Sequence, residues 1–143
     1  MKNLSLQKIT VFAGHYGSGK TTVAANYAVV LKKRGIDVSV CDLDIVNPYF
    51  RTSDFSELFE KHGIKLISSS FANTNLDVPA VTGEVKSVFD SRGPYGIIDL
   101  GGDERGAMAL GRYADIINGV GGYEMLMVIN RFRPLTRNPD ALL

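Results

Sequence analysis

Short apolar runs alternate along the chain with longer segments whose apolar residues recur every three or four positions. Residues 9–13, Ile-Thr-Val-Phe-Ala, form the first run and predict a buried strand. Residues 20–34 carry the helical period, with Val23, Tyr27 and Leu31 on one face and Ala24 and Ala28 beside them. Lys32, Lys33 and Arg34 complement that helix's C-terminal end, and Gly35 supplies its cap. A second strand is predicted at 37–42, a short helix at 55–62 ending near Gly63, and a third strand at 64–67. A loop through Pro79 then leads into a helix that runs to about Phe89. After the turn Arg92-Gly93-Pro94 come a fourth strand at 95–100, a helix at 104–117 and a fifth strand at 125–129.

Strands separated by helices argue for right-handed βαβ units. The fold class is therefore α/β, a mostly parallel sheet with helices on both faces. At 143 residues the chain predicts a single domain with one core, and no repeat or linker divides it. Asn138-Pro139-Asp140 reads as the start of another helix, and the sequence stops at Leu143, where that helix would run. The domain is accordingly expected to be incomplete at its C-terminus, with an exposed apolar sheet edge or face.

Composition narrows the function classes. With 16 basic and 15 acidic residues the net charge is +1, which makes no electrostatic case for a nucleic-acid or membrane partner. Cys41 is the sole cysteine, and it lies in an apolar run. That suits a reducing compartment. MKNLSLQKIT has no apolar core of a secretory signal, and residues 23–31 are too few to cross a bilayer. A cytoplasmic protein is expected.

Three motifs carry chemistry. Gly14-His15-Tyr16-Gly17-Ser18-Gly19-Lys20-Thr21 matches GxxxxGK[ST] between a strand and a helix. Glycines let such a loop wrap phosphates with successive N–H groups, and the helix adds its positive end. Lys20 reaches the β- and γ-phosphates, and the Thr21 hydroxyl binds Mg²⁺. Next, Asp42 and Asp44 leave the second strand at the carboxyl end of the sheet, where α/β ligands sit. Two carboxylates there hold metal-bound water and orient an attacking water, or one of them caps the next helix. Finally, Ile97-Ile98-Asp99 ends the fourth strand as a Walker B-like segment and leads into Gly101-Gly102-Asp103-Glu104. That glycine loop serves as a switch, or as a turn with Asp103 capping a helix.

GHYGSGKTT, CDLDIVNP and IIDLGGD together resemble the MinD/ParA/CobQ-type P-loop ATPases of the deviant Walker A, SIMIBI class, and cover nearly the whole chain. More narrowly, DLDIVNPYFR and GGDERGAMALGRY are similar to a group of bacterial ATP-binding proteins. The resemblance implies a Rossmann-like P-loop NTPase fold, with the first strand between those ending in Asp99 and Ile129. It implies ATP and Mg²⁺ as cofactors, with Gly14, His15, Gly17, Ser18, Gly19, Lys20, Thr21 and Thr22 on the phosphates. Thr21, Asp42 and Asp99 fall on the metal shell, Lys20 and Asp44 on catalysis, and Asn130 on adenine. His15 stands where the family carries a second Lys that reaches a partner's nucleotide, which leaves a homodimer open. His62 reads as a surface residue, and Tyr49, Phe50 and Tyr123 as packing or a partner surface. Three functions follow: a nucleotide-driven ATPase switch, an ATP-dependent small-molecule enzyme of the dethiobiotin synthetase or cobyrinate amidase kind, or a nucleotide-binding module without catalysis.

Overall fold

The structure is a computed structural model that describes residues 7–43, 48–68, 83–90, 92–102 and 104–132. Ten elements follow one another. They are β1 (Ile9–Ala13), α1 (Lys20–Lys33), β2 (Val38–Leu43), α2 (Pro48–His62), β3 (Lys65–Ser68), α3 (Gly83–Val88), β4 (Tyr95–Leu100), α4 (Glu104–Gly111), α5 (Ala114–Gly119) and β5 (Tyr123–Met127). All strand pairs are parallel, and the sheet order is β3-β2-β4-β1-β5. This is the expected P-loop α/β sheet, with β1 between β4 and β5.

The strand order dictates which face each helix covers. From β1 to β2 and from β2 to β3 the chain steps towards one edge; from β3 to β4 and from β4 to β5 it steps towards the other. Right-handed crossovers in opposite directions place their helices on opposite faces. One face packs Phe12, Val40 and Ile97 against Ala24, Ala28 and Leu31 of α1 and Phe59 of α2. The other packs Val11, Cys41 and Ile98 against Val85 and Val88 of α3 and Ile117 of α5. Connections leaving β1 and β4 in opposite directions open a crevice at the carboxyl ends of these neighbouring strands, the usual ligand position in such sheets.

Several sequence expectations are corrected. The buried stripe of α1 is Ala24, Ala25, Ala28, Val29 and Leu31, while Val23 is exposed. Small alanines let α1 lie close on the sheet, which turns the bulkier Val23 outward. Helix α2 starts at Pro48 rather than 55, because proline needs no N–H in a first turn. The single helix expected at 104–117 is two: Gly111 is a weak helix former, and the break lets Tyr113 turn inward. Tyr113 is buried and stacks on Phe89 with ring centroids 5.2 Å apart. Strand β5 begins at Tyr123, straight after the positive-φ pair Gly121 and Gly122, and ends at Met127 instead of 129. The cap of α1 is as expected: Gly35 at φ 81 donates to Lys32 O and Ile36 N donates to Leu31 O, a Schellman pair. The loop before Pro79 and the helix start at 138–140 lie outside the described residues, as do the side chains of Tyr49 and Phe50.

A polar strip ties the edge of the sheet together. Thr10 Oγ1 donates to Glu124 Oε1 at 2.7 Å and, having spent its one hydrogen, accepts from the Tyr95 hydroxyl. Strand β5 is nonetheless open: Tyr123, Met125, Leu126 and Met127 are all exposed. The outer edge of the sheet at β5 is thus largely apolar and exposed.

Buried acids make stability sensitive to base. Burial, with Asp42 next to it, pushes the Cys41 thiol up to about 12, and burial also raises Tyr113 and Tyr95. An unfolded thiol ionises near pH ~8.5. Above that value the folded state holds a proton the unfolded state has lost, so stability falls as pH rises. The slope from Cys41 alone approaches about 1.4 kcal/mol per pH unit. The urea midpoint should hold steady up to about pH 8 and drop between about pH 9 and pH 11, less steeply in Cys41→Ala. An unchanged midpoint across that window would contradict the burial of these groups.

Candidate functional site

The loop from Gly14 to Gly19 joins the buried end of β1 to the first turn of α1. Gly14, Gly17 and Gly19 have φ of 154°, 71° and 90°, so the backbone turns back on itself where a side chain would be strained. Ser18 N donates to His15 O at 3.0 Å, and Val23 N donates to Gly19 O at 3.0 Å, closing the loop onto the helix. Ser18 Oγ is buried and has no hydrogen-bond partner among the described residues. His15, Tyr16, Gly17, Gly19 and Thr22 are exposed, whereas Lys20 is only 2% exposed. His15 Nδ1 lies 3.4 Å from the Tyr16 carbonyl oxygen, a long contact that leaves the ring on the surface.

Three oxygen-bearing side chains converge beneath this loop. Asp42 of β2 and Asp99 of β4 are register partners on neighbouring strands, 6% and 2% exposed. Thr21 Oγ1, from the first turn of α1, donates to Asp99 Oδ2 at 2.5 Å. Thr21, Asp42 and Asp99 form the polar end of a cavity of about 20 Å³, whose apolar wall includes Ala24, Ala25, Phe55 and Phe59. That volume holds about one water molecule. Magnesium asks for one or two carboxylates and completes its shell with water and phosphate oxygens. A hydroxyl and two carboxylates at the foot of a phosphate-type loop fit that demand.

The fourth loop closes on the first. A Cβ on Gly102 would lie 2.5 Å from Gly14 O and 2.9 Å from Tyr16 N, both backbone atoms that cannot swing aside. The glycine loop after β4 is therefore in direct contact with the phosphate-type loop. From the sequence this glycine loop reads as a switch or a turn, and its contact with the phosphate-type loop is not legible there: a glycine three residues past Asp99 gives no hint of its neighbour.

Of the residues named from the sequence, Gly14, His15, Gly17, Ser18, Gly19, Lys20, Thr21, Thr22, Asp42 and Asp99 share this corner of the molecule. Asp44 and Asp103 lie outside the described residues. Asn130 falls three residues beyond β5, where its Oδ1 accepts from Phe132 N at 3.0 Å. His62 closes the last turn of α2, before β3, at the opposite end of the sheet from the loop. Among the described residues no helix is long and apolar enough to cross a membrane.

A parallel sheet whose first strand feeds a GxxxxGK[ST] loop and helix, with a strand-end aspartate beneath the loop's threonine, defines a P-loop NTPase. The chain belongs to the ParA family, matching over residues 5–82 the family profile described as NUBPL iron-transfer P-loop NTPase. It is also similar to the iron-sulfur cluster carrier protein of Aquifex aeolicus (strain VF5), at 34% identity over 86 residues. That match covers 51% of this chain and 24% of the carrier, so the similarity spans about a quarter of the relative's length.

The loop contact yields a direct test. Gly102→Ala should cost about 1–3 kcal/mol, as overpacking does, and should speed amide exchange at Tyr16. Gly111→Ala is the control: its added methyl meets nothing within 4 Å at a helical position, so it should be neutral or stabilising. A Gly102→Ala protein as stable as the wild type would refute the close approach of the two loops.

Proposed function

We propose that the chain binds ATP with Mg²⁺ and hydrolyses it, acting as a nucleotide-driven switch in the cytoplasm. The observation that carries this reading is the convergence of Thr21, Asp42 and Asp99 directly under the glycine loop. The phosphates would lie on the backbone N–H groups of the loop formed by Gly14, His15, Gly17, Ser18, Gly19, Lys20, Thr21 and Thr22, at the positive end of α1. Ser18 Oγ, buried without a partner, is a hydroxyl that a phosphate oxygen would satisfy. Lys20 supplies the charge that stabilises the transferring phosphoryl group.

Thr21, Asp42 and Asp99 would hold Mg²⁺, which neutralises phosphate charge when bound. Asp44 is assigned the in-line water on the strength of its place two residues after Asp42 in the Asp-x-Asp motif. A carboxylate there accepts the water's hydrogen bond as attack begins. Asn130 is assigned to the base. The contact of Gly102 with the loop gives the switch its physical basis, since a γ-phosphate in the loop must be accommodated by the segment touching it. The exposed His15 leaves a homodimer across the nucleotide as a further element of the proposal.

Calorimetry with ATP and Mg²⁺ should show binding that weakens on chelation and is largely lost in Lys20→Ala, which removes a charge-assisted phosphate contact. Asp44→Asn keeps the shape and should keep binding, while turnover falls about 10²–10⁴-fold. Unchanged affinity in Lys20→Ala would sink the phosphate assignment. Near-normal turnover in Asp44→Asn would move the water-positioning role to Asp103.

A further inference from the structure

A relative that this chain matches is an iron–sulfur cluster carrier protein, which raises the question of where such cargo would be held. We infer that these 143 residues contain no iron–sulfur ligand set, so that thiolates for a cluster would have to come from outside them. Clusters are held by four cysteine thiolates, or by two cysteines and two histidines in the mixed type. The chain has one cysteine and two histidines. Even two copies side by side bring only two thiols.

Position excludes the remaining route, a cluster shared between copies. Cys41 sits in the middle of β2, paired in register with Ile67 of β3 and Ile98 of β4. Its exposure is 0%, and it belongs to the cluster that includes Tyr113, Val85 and Leu43. A thiol inside a sheet and under helices cannot meet its counterpart at a protein surface while the sheet stays intact. The histidines do not help: His15 follows β1 at the carboxyl end of the parallel sheet, and His62 precedes β3 at the amino end. Among the described residues no group of three or more His, Cys, Asp or Glu side chains could hold a metal ion. The oxygen set at Thr21, Asp42 and Asp99 is hard, suited to magnesium and not to a sulfide cluster.

The inference stands apart from the nucleotide reading and is tested separately from it. The 143-residue chain is treated anaerobically with ferrous iron, sulfide and a thiol reductant, then desalted. The expected result is no visible sulfide-to-iron absorption, and iron and sulfide contents equal to those of Cys41→Ala treated in parallel. A thiol reagent should leave Cys41 unmodified in the folded protein and label it fully in denaturant. A visible cluster in stoichiometric amount would overturn the inference, whether or not Cys41→Ala abolished it, and rapid labelling of the folded protein would remove its structural basis. Calorimetry with Mg²⁺ and ATP on the untreated sample reports on the nucleotide reading alone.

Discussion

Strand β4 lies between β1 and β2, and that insertion determines where every polar group of the site ends up. Because β1 and β2 are separated in the sheet, α1 must cross over β4 to join them. The first turn of α1 therefore stands above the end of β4, and Thr21 meets Asp99. The same insertion brings Asp42 beside Asp99 in register. It also makes the loops after β1 and β4 neighbours, so that Gly102 touches Gly14 and Tyr16. One topological choice thus assembles the glycine loop, the paired carboxylates and the loop after β4 that touches the glycine loop.

The assembly runs against the ordinary preference of charge for water. Lys20, Asp42 and Asp99 are all buried, although charged side chains mostly stay at the surface. Moving such groups out of water costs several kcal/mol each in real proteins. Core packing offsets that cost: Ala24, Ala28 and Leu31 of α1 press the loop's helix onto Phe12 and Ile97. A low-dielectric corner lined with fixed polar groups strengthens interactions with a charged ligand, provided water is kept out. The aromatic wall of Phe55 and Phe59 beside Asp42 and Asp99 serves that exclusion.

Much of this was legible in the sequence, because the signals were local or family-wide. The strand-loop-helix unit follows from an apolar run, glycines and a lysine, and the resemblance carried the strand order with it. Failures arose where tertiary contacts overrode local preference. Val23 fits a helical apolar stripe, yet the close approach of alanines to the sheet rotates it outward. The helix break before α5 serves Tyr113, whose partner Phe89 is 24 positions away and invisible to a periodicity argument. The contact of Gly102 with the phosphate loop joins segments more than 80 residues apart, and only the assembled sheet reveals it. Asn130 was expected directly after the fifth strand, but β5 ends at Met127, and the Asn130 side-chain oxygen accepts from Phe132 N in a local turn.

The central claim is that the corner formed by the glycine loop, Thr21, Asp42 and Asp99 is a Mg²⁺–nucleotide site. The most direct measurement is a crystal structure of the chain grown with Mg²⁺ and a non-hydrolysable ATP analogue. The account predicts the triphosphate on the loop's backbone N–H groups, Lys20 on its outer phosphates, and the metal bound through Thr21 with Asp42 and Asp99 in its immediate surroundings. Density for the analogue elsewhere, with the loop empty and the Thr21–Asp99 hydrogen bond unchanged, would contradict it.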